Sequence, residues 1–138
     1  MKITAEFEII KATDPLTYEG INKVPYKKIE TKLQQLQLAI TGKSTAVTKP
    51  TYLERSVPVR SLKQKTKVKS YNIEAIVQSE NGEKPLFIHI EEYHQKERRS
   101  AKDYQLHQGI KGSVHYEGSY SGGVIVDQVI QSLKELYR

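Results

Sequence analysis

The dipeptide Asn81-Gly82 is the feature that most constrains what this chain of 138 residues can fold into. Residues 71–77 and 86–93, on either side of it, are rich in β-branched and aromatic side chains. Asn and Gly accept the positive φ angles that a type I′ turn requires at both of its central positions. The sequence therefore predicts an antiparallel hairpin. Its alternating apolar residues, which we expect on one face, are Ile73, Ala75, Val77, Leu86, Ile88 and Ile90.

A run of basic residues leads into this hairpin. The window from Arg55 to Lys69 contains six basic residues and no acidic one. The remaining 16 basic residues balance the 16 acidic residues, so the whole net charge of +6 lies in this window. Side chains alternate between the two faces of a strand, which predicts that Lys63, Lys65, Lys67 and Lys69 share one face. A basic patch as concentrated as this one predicts a polyanion as the ligand.

Aromatic residues are interleaved with these cations and with a second basic cluster at 96–102. Unstacked bases stack on aromatic rings at roughly 1–3 kcal/mol per base, which favours single-stranded DNA or RNA as the partner. Lysine outnumbers arginine 17 to 5, and because base reading favours the bidentate arginine fork, we expect binding that is largely sequence-tolerant. The predicted nucleic-acid-binding residues are Arg55, Arg60, Lys63, Lys65, Lys67, Lys69, Tyr71, Phe87, Tyr93, Lys96, Arg98, Arg99 and Lys102.

Three other interpretations of these features stay open. The lysines would also suit a solvated edge strand, which they would protect from aggregation. They would equally suit an acidic protein surface, which would make the chain a protein–protein adaptor. A metal-dependent DNA-nicking enzyme ranks last: His89 and Glu91 share a strand face and Tyr137 would be the nucleophile, but the spacing matches no zinc motif. We therefore expect a protein that is not an enzyme and that needs no cofactor or metal.

The first half of the chain contains one clear strand and one ambiguous segment. Residues 3–10 alternate apolar and polar side chains, which predicts a half-buried strand. Residues 26–40 carry apolar side chains at helical spacing but alternate like a strand at their end. We favour a helix, with Pro25 near its start and Gly42 just past its end. Residues 41–50 are polar and contain Gly and Pro, which predicts an exposed loop.

The remaining segments predict further short strands and a C-terminal helix. Pro58 limits residues 53–62 to an edge strand, because proline cannot donate to a β ladder. Residues 109–123 are punctuated by glycine, which predicts one or two short strands. The last residues form an apolar helical stripe, with Asp127 as the N-cap and Tyr137 at the end. We expect this helix to cover the sheet, and it also offers a surface for a homo-oligomer.

Composition narrows the class of protein. The chain has no cysteine, which excludes disulfides and thiolate metal sites. No apolar run approaches the roughly 20 residues that span a bilayer, and no apolar leader is present, so we expect a cytoplasmic location without membrane contact. One domain covering residues 1–138 is expected at this length. Because strands outnumber helices and short turns join them, the predicted fold class is α+β, with a mostly antiparallel β-sheet or a small β-barrel of the oligonucleotide-binding kind.

Overall fold

The computed structural model builds an α+β fold from six strands and two helices. It describes residues 2–13, 23–48, 51–57, 60–79, 82–98, 104–118 and 122–137, and side chains within 3–9, 23–48, 66–78, 82–96, 106–118 and 123–137. The elements are β1 (Lys2–Thr13), α1 (Tyr26–Gln35), β2 (Ala39–Val47), β3 (Thr51–Val57), β4 (Arg60–Ser79), β5 (Gly82–Arg98), β6 (Tyr104–Glu117) and α2 (Gly122–Leu136). The predicted class, α+β with a mainly antiparallel sheet and a C-terminal helix, is confirmed.

The strands form one antiparallel sheet in the order β1-β6-β5-β4-β2. β2 pairs with residues 69–76 of β4, and β3 pairs with residues 60–66 of the same strand, so β2 and β3 follow one another along one edge. The predicted edge strand at 53–62 is confirmed only for residues up to Val57, since residues 60–62 belong to β4 and Pro58 lies outside the described residues. Within the described strands no pairing joins β1 to β2 or β3. Of the two predicted forms, the open sheet is therefore observed and the barrel is not.

The predicted hairpin is confirmed as the pair β4 and β5, in which residues 63–79 of β4 pair with the whole of β5 without a register shift. The register pairs Ser79 with Gly82, whose φ is 97°. Residues 80 and 81, which connect the strands, lie outside the described residues. The turn is therefore shifted by one residue from the prediction, because Gly82 is the first residue of β5 and not the second central residue of the turn.

The helices cover one face of the sheet, which we call the helix face; the opposite face is the far face. α2 packs against β6, β1 and α1, and α1 also packs against β2. Alternation along β4 places Tyr71, Ile73 and Ala75 on the helix face, where each is 2% exposed or less. Of the six apolar hairpin residues predicted to share this face, only Val77 is less than fully buried. The main partners of this face are Phe7, Ile29, Leu33, Leu86, Ile88, Ile90, Ile110, Val114, Tyr116, Val126, Val129 and Leu133.

Helix α1 resolves the ambiguous segment 26–40 into a helix followed by a strand. Pro25 occupies the N-cap position, close to the predicted start. Gln37 has a φ of 63°, in the left-handed region in which helices commonly terminate. Gly42 lies at a register shift inside β2 and not at the helix end. The predicted helix end at Gly42 is therefore wrong, and so is the predicted loop up to residue 47, since these residues pair with the free edge of β4. Residues 49 and 50 of the predicted loop lie outside the described residues.

Helix α2 confirms the predicted apolar stripe but not its start. It begins at Gly122, five residues before Asp127, so Asp127 lies inside the helix and is not the N-cap. Val129, Leu133 and Tyr137 are buried against the sheet. The apolar stripe proposed for a homo-oligomer is thus used within the chain. The region predicted as one or two short strands before α2 is the end of a single strand, β6, of 14 residues.

The sheet extends far beyond the helices. β4 has 20 residues, or about 65 Å of extended chain. α1 and α2 have 10 and 15 residues, or about 15 Å and 22 Å. We call the uncovered part the outer end: residues 60–69 of β4 with the parts of β2, β3, β5 and β6 paired with them. In the described part of the chain, neither helix is long and apolar enough to cross a bilayer.

Candidate nucleic-acid interface

Two of the predicted lysines lie where β4 leaves the cover of the helices. Lys67 and Lys69 continue the alternation of Tyr71 and are therefore on the helix face. Lys69 lies opposite Glu92 on β5, and Lys67 lies opposite His94. Lys67 is exposed and Lys69 is half-buried. On the helix face, the cross-strand row of paired residues at Tyr71 is therefore buried and apolar, and each of the next two rows carries one lysine.

A cavity of about 270 Å³ occupies this boundary. We call it the lysine cavity, because Lys67 and Lys69 of β4 and Lys23 of the segment before α1 all line it. Its apolar lining includes Val47 on β2 and Ile110 on β6. Val47 is 57% exposed, although it is a valine in a strand. The site therefore combines cations with apolar surface, which suits a ligand that has both an anionic group and a flat or apolar part.

Tyr137 closes the inner end of the lysine cavity. Its hydroxyl donates to Glu92 Oε1 at 2.7 Å, and the side chain is 2% exposed. Burial, and then the hydrogen bond to Glu92, raise the pKa of Tyr137 well above its ordinary value. The hydroxyl therefore stays protonated at every physiological pH. It holds one oxygen of Glu92, which is the acidic residue of the cavity lining.

Lys69 and Tyr71 form the border between the core and the cavity. The Lys69 ammonium lies 5.0 Å from the centroid of the Tyr71 ring. A hydrogen bond to Tyr71 raises the pKa of Lys69, although desolvation opposes this. The Tyr71 hydroxyl donates to the carbonyl oxygen of Val24 at 3.0 Å, and Tyr71 has no exposed surface. Tyr71 is thus a core residue, and its ring offers no face on which a base could stack.

The other two predicted aromatic residues lie on the far face. Phe87 alternates with the buried residues of β5, is 41% exposed, and has its ring centroid 6.2 Å from that of His115. Tyr93 packs its ring over Gly109, where a Cβ atom would clash with it. Burial, and then the charge of Glu8, raise the pKa of Tyr93. Phe87 therefore does not share a surface with Lys67 and Lys69, whereas Tyr93 is among the residues that line the lysine cavity with them.

The remaining predicted residues lie at the outer end or beyond the described residues. Lys96 is exposed on β5, opposite position 65 of β4. Arg99 and Lys102 are outside the described residues. The other members occupy strand positions whose side chains are not described; they are Arg55 in β3, Arg60, Lys63 and Lys65 in β4, and Arg98 in β5. The register pairs Lys63 with Arg98 and Lys65 with Lys96.

The far face carries a polar network around His89 and Glu91, the pair considered for metal binding. His89 Nδ1 lies 2.7 Å from Asn72 Oδ1, and His89 Nε2 lies 3.0 Å from Glu91 Oε1. Lys111 Nζ lies 3.5 Å from the second oxygen of Glu91. The hydrogen bond from His89, and then the charge of Lys111, lower the pKa of Glu91. Within the described residues no group of three or more His, Cys, Asp or Glu could hold a metal ion.

The nicking-enzyme interpretation needs His89, Glu91 and Tyr137 in one site. Tyr137 contacts Glu92 on the helix face, whereas His89 and Glu91 point to the far face, because alternate residues of β5 lie on opposite sides. The sheet itself separates the two groups. The particular constellation predicted from the sequence is therefore not assembled in this structure.

Sequence reasoning did not predict Lys23 as a binding residue, and it did not predict that Tyr137 lines this cavity. Tyr137 carried a signal, since it follows Leu133 by four residues and had to share its helix face. Lys23 carried none. It is placed by its neighbour Val24, which is buried and whose carbonyl oxygen accepts from Tyr71, 47 residues further along the chain.

Comparisons with known proteins add little to this site. No family model matches the chain, and no curated protein matches it significantly. One solved structure with partial similarity is the SecB-like chaperone Rv1957 of Mycobacterium tuberculosis, in complex with a ChAD peptide from the Rv1956 HigA1 antitoxin. The alignment has 8% identity and a TM-score of 0.27, and covers 69% of this chain and 64% of that chain, less than two thirds of its length.

A second solved structure is a putative uncharacterized protein from Rhizobium leguminosarum. The alignment has 7% identity and a TM-score of 0.23, and covers 99% of this chain and 95% of that one. At these TM-scores neither structure carries an argument about the fold or the function of this chain.

Proposed function

We propose that the chain is a non-enzymatic protein that binds single-stranded DNA or RNA at the outer end of its helix face. The observation that carries the proposal is the convergence of Lys23, Lys67 and Lys69 on one cavity, at the point where the sheet leaves the helices. Lysines from two separate parts of the chain meet there, which a merely solvated strand would not require. The proposed surface is narrower than the sequence predicted, since Tyr71 is a core residue and Phe87 lies on the far face, while Tyr93 contributes to the cavity lining.

The register of the outer end supports an anionic ligand. Lys63 lies opposite Arg98, and Lys65 lies opposite Lys96. The register thus brings four basic residues into two rows of the sheet. A polyanion lying along these rows would release its own counterions.

A single strand suits the site better than a duplex. The lysine cavity is small, and its apolar lining can contact a base only if the base is unstacked. A duplex reader normally inserts a helix with a basic face into the major groove. The candidate here is α1, but its Lys32 forms an ion pair with Glu135 of α2 at 3.3 Å. Contacts made by lysine to phosphates also favour sequence-tolerant binding.

An acidic protein segment is the second candidate, and the edge of β2 favours it. Residues 44–47 of β2 are exposed, uncharged and paired with β4 on one side. Its single charge, Lys43, folds back over the Tyr26 ring, 4.7 Å from the centroid, and lies 3.7 Å from Glu30. An extended peptide could add to this edge as a further strand. Acidic side chains on it would then lie beside the lysine cavity.

Fluorescence anisotropy with labelled oligo-dT tests the proposal. We expect a Kd in the micromolar range or tighter. The logarithm of Kd should change linearly with the logarithm of the salt concentration. The double substitution Lys65→Gln and Lys67→Gln should weaken binding and reduce the salt slope by about 1.4, since each phosphate contact on single strands contributes about 0.7. Binding that does not depend on salt would contradict the proposal.

The matched control is the double substitution Lys28→Gln and Lys84→Gln, which removes the same charge from α1 and from the opposite end of β5. We expect it to leave the salt slope unchanged. If both double variants weaken binding equally, net charge and not the outer end attracts the oligonucleotide. Competition between unlabelled oligo-dT and poly-glutamate separates the two candidate ligands: tighter binding of poly-glutamate at equal charge would favour the acidic protein segment.

A further inference from the structure

We propose that the lysine cavity holds the terminal nucleotide of the bound strand, with its phosphomonoester group on Lys23 and Lys67. This inference rests on the proposed function and specifies where the bound strand ends. The cavity has a closed inner end and continues into the outer end of the sheet, and it carries more positive charge than one internal phosphate needs.

The inner end of the cavity is closed by buried residues. The row next to it on the sheet consists of Tyr71, Ile90 and Gly112, with the ring of Phe7 packed over the glycine. Above this row Tyr137 is held in place by its hydrogen bond to Glu92. A strand that runs along the outer end towards the helices therefore meets a wall of side chains and can go no further in that direction.

The outer side of the cavity faces the part of the sheet that the described helices do not cover. The rows beyond Lys67 contain the basic pairs of β4 and β5. α2 ends at Leu136, and Tyr137 follows it directly, so the described part of α2 stops at the cavity. A nucleic-acid strand would thus reach the cavity along the basic rows. The cavity is the natural place for its last nucleotide.

The charge of the cavity matches a terminal phosphate better than an internal one. Three lysines line it together with one carboxylate, Glu92, which Tyr137 engages. A phosphodiester carries one negative charge, whereas a phosphomonoester carries about −1.5 to −2 at pH 7 and offers three strong acceptor oxygens. Lys23 and Lys67 are both exposed and both line the cavity, which makes them the two ligands that we assign to one phosphate.

The size of the cavity also suits one nucleotide. Its volume, about 270 Å³, lies just below the range of sites for drug-sized ligands, which run from about 300 to 1,000 Å³. The apolar surface of Ile110 and Val47 offers a place for the base or sugar, while the lysines hold the phosphate. The chemistry is shared by a 5′-phosphate and a 3′-phosphate, and the experiment decides between them.

The test compares three forms of one labelled dT12: hydroxyl groups at both ends, a phosphate at the 5′ end, and a phosphate at the 3′ end. The label is placed internally so that both ends stay free. We expect one phosphorylated form to bind about tenfold tighter than the hydroxyl form, the effect of one further charge-assisted contact. Equal affinity for all three forms would overturn the inference.

Variants connect this preference to the cavity. Lys23→Gln should weaken binding of every form. It should also reduce the preference for the phosphorylated form over the hydroxyl form to below about threefold, because it removes one of the two phosphate ligands. Lys28→Gln, which removes an exposed lysine of α1, should keep both the affinity and the preference. A preference that persists in Lys23→Gln at full size would show that the phosphate binds elsewhere.

The two proposals fail in different ways. If no form of dT12 binds, the proposed function and the inference both fall. If all forms bind with the expected salt slope but without an end preference, the proposed function stands and the inference falls. Amide chemical shifts on addition of the preferred form give the position directly: we expect the largest changes at Ile110 and Tyr137, and changes confined to the far face would contradict the inference.

Discussion

The two halves of β4 differ in chemistry although they share one alternation. Residues 71–77 place Tyr71, Ile73 and Ala75 on the helix face, where they are buried. Residues 63–69 continue the same alternation with lysine. The backbone pattern of β4 does not change at residue 70: the alternation of side chains, the faces to which they point and the pairing with β5 all continue. The two halves differ in what packs on them. Tyr137, which directly follows α2, lies over the border between the two halves, and no described helix packs on the lysine half.

The comparison shows that the alternation of side chains along a strand and the burial of those side chains have separate causes. Alternation tells which residues share a face of a strand, and this follows from backbone geometry alone. Burial depends on what packs on that face, which is set by the length and position of other elements. The lysine half of β4 is therefore neither a surface strand nor part of the core. It is the continuation of a core face into solvent, and this gives the cavity its apolar inner wall and cationic mouth.

The largest expected effect comes from substitution of one residue in each half of β4. Ile73→Ala should lower the free energy of unfolding by about 2–5 kcal/mol, because it leaves a cavity under the helices. Lys67→Ala, six residues earlier on the same strand face, should change it by less than about 0.5 kcal/mol. Urea denaturation followed by circular dichroism measures both. Equal losses would mean that the helix cover extends beyond the border placed here.

Two glycines give the second comparison, between a covered and an open position. In Gly112→Ala, the new Cβ would lie 2.6 Å from Phe7 Cζ and would clash with the His89 carbonyl oxygen. We expect a loss of about 1–3 kcal/mol in the free energy of unfolding, the usual cost of overpacking. In Gly123→Ala, near the start of α2, the Cβ would meet nothing within 4 Å. Here we expect a gain of about 0.5 kcal/mol from reduced chain entropy. A stable Gly112→Ala protein would show that Phe7 does not pack over this glycine in solution.

The sequence was sufficient for elements whose signal is local. The turn near Gly82, the alternation of β4 and β5 and the apolar stripe around Leu133 all follow from neighbouring residues, and the structure contains them. β2 was missed because its Ser and Thr residues resemble a loop; it is a strand because β4 has an edge to pair with. The lysine cavity needed Lys23 and Tyr137 beside β4, and such long-range neighbours leave no periodic trace in one sequence.

Tyr137 lies at the border, and its hydroxyl provides a smaller effect with a distinct pH dependence. Tyr137→Phe should lower the free energy of unfolding by about 1.5 kcal/mol at pH 7, since it removes a hydrogen bond to a carboxylate. The folded-state pKa of Tyr137 is raised above that of the unfolded chain, about 10. Above pH 10 the unfolded state therefore releases a proton that the folded state keeps. This stabilisation is present below pH 10 and is lost as the pH rises.

The difference between wild type and Tyr137→Phe should accordingly shrink from pH 9 upwards and approach zero near pH 11, at up to about 1.4 kcal/mol per pH unit. Urea denaturation at pH 7, 9, 10 and 11 measures it. A difference that stays constant over this range would indicate that Tyr137 is accessible to solvent and titrates alike in both states, which would remove the closed inner end of the cavity.

The smallest effect distinguishes the two lysines on either side of the border. Lys69→Gln should lower the free energy of unfolding by about 0.5–1 kcal/mol, because its ammonium lies over the Tyr71 ring and this cation–π contact is lost. Lys67→Gln, the matched change one alternate position further out, should leave stability unchanged while weakening oligonucleotide binding. Thermal denaturation and anisotropy on the same two variants separate stability from binding. If Lys67→Gln destabilises the fold as much as Lys69→Gln, both lysines belong to the packed half of the sheet, and the surface available to a nucleic acid begins further out, at position 65.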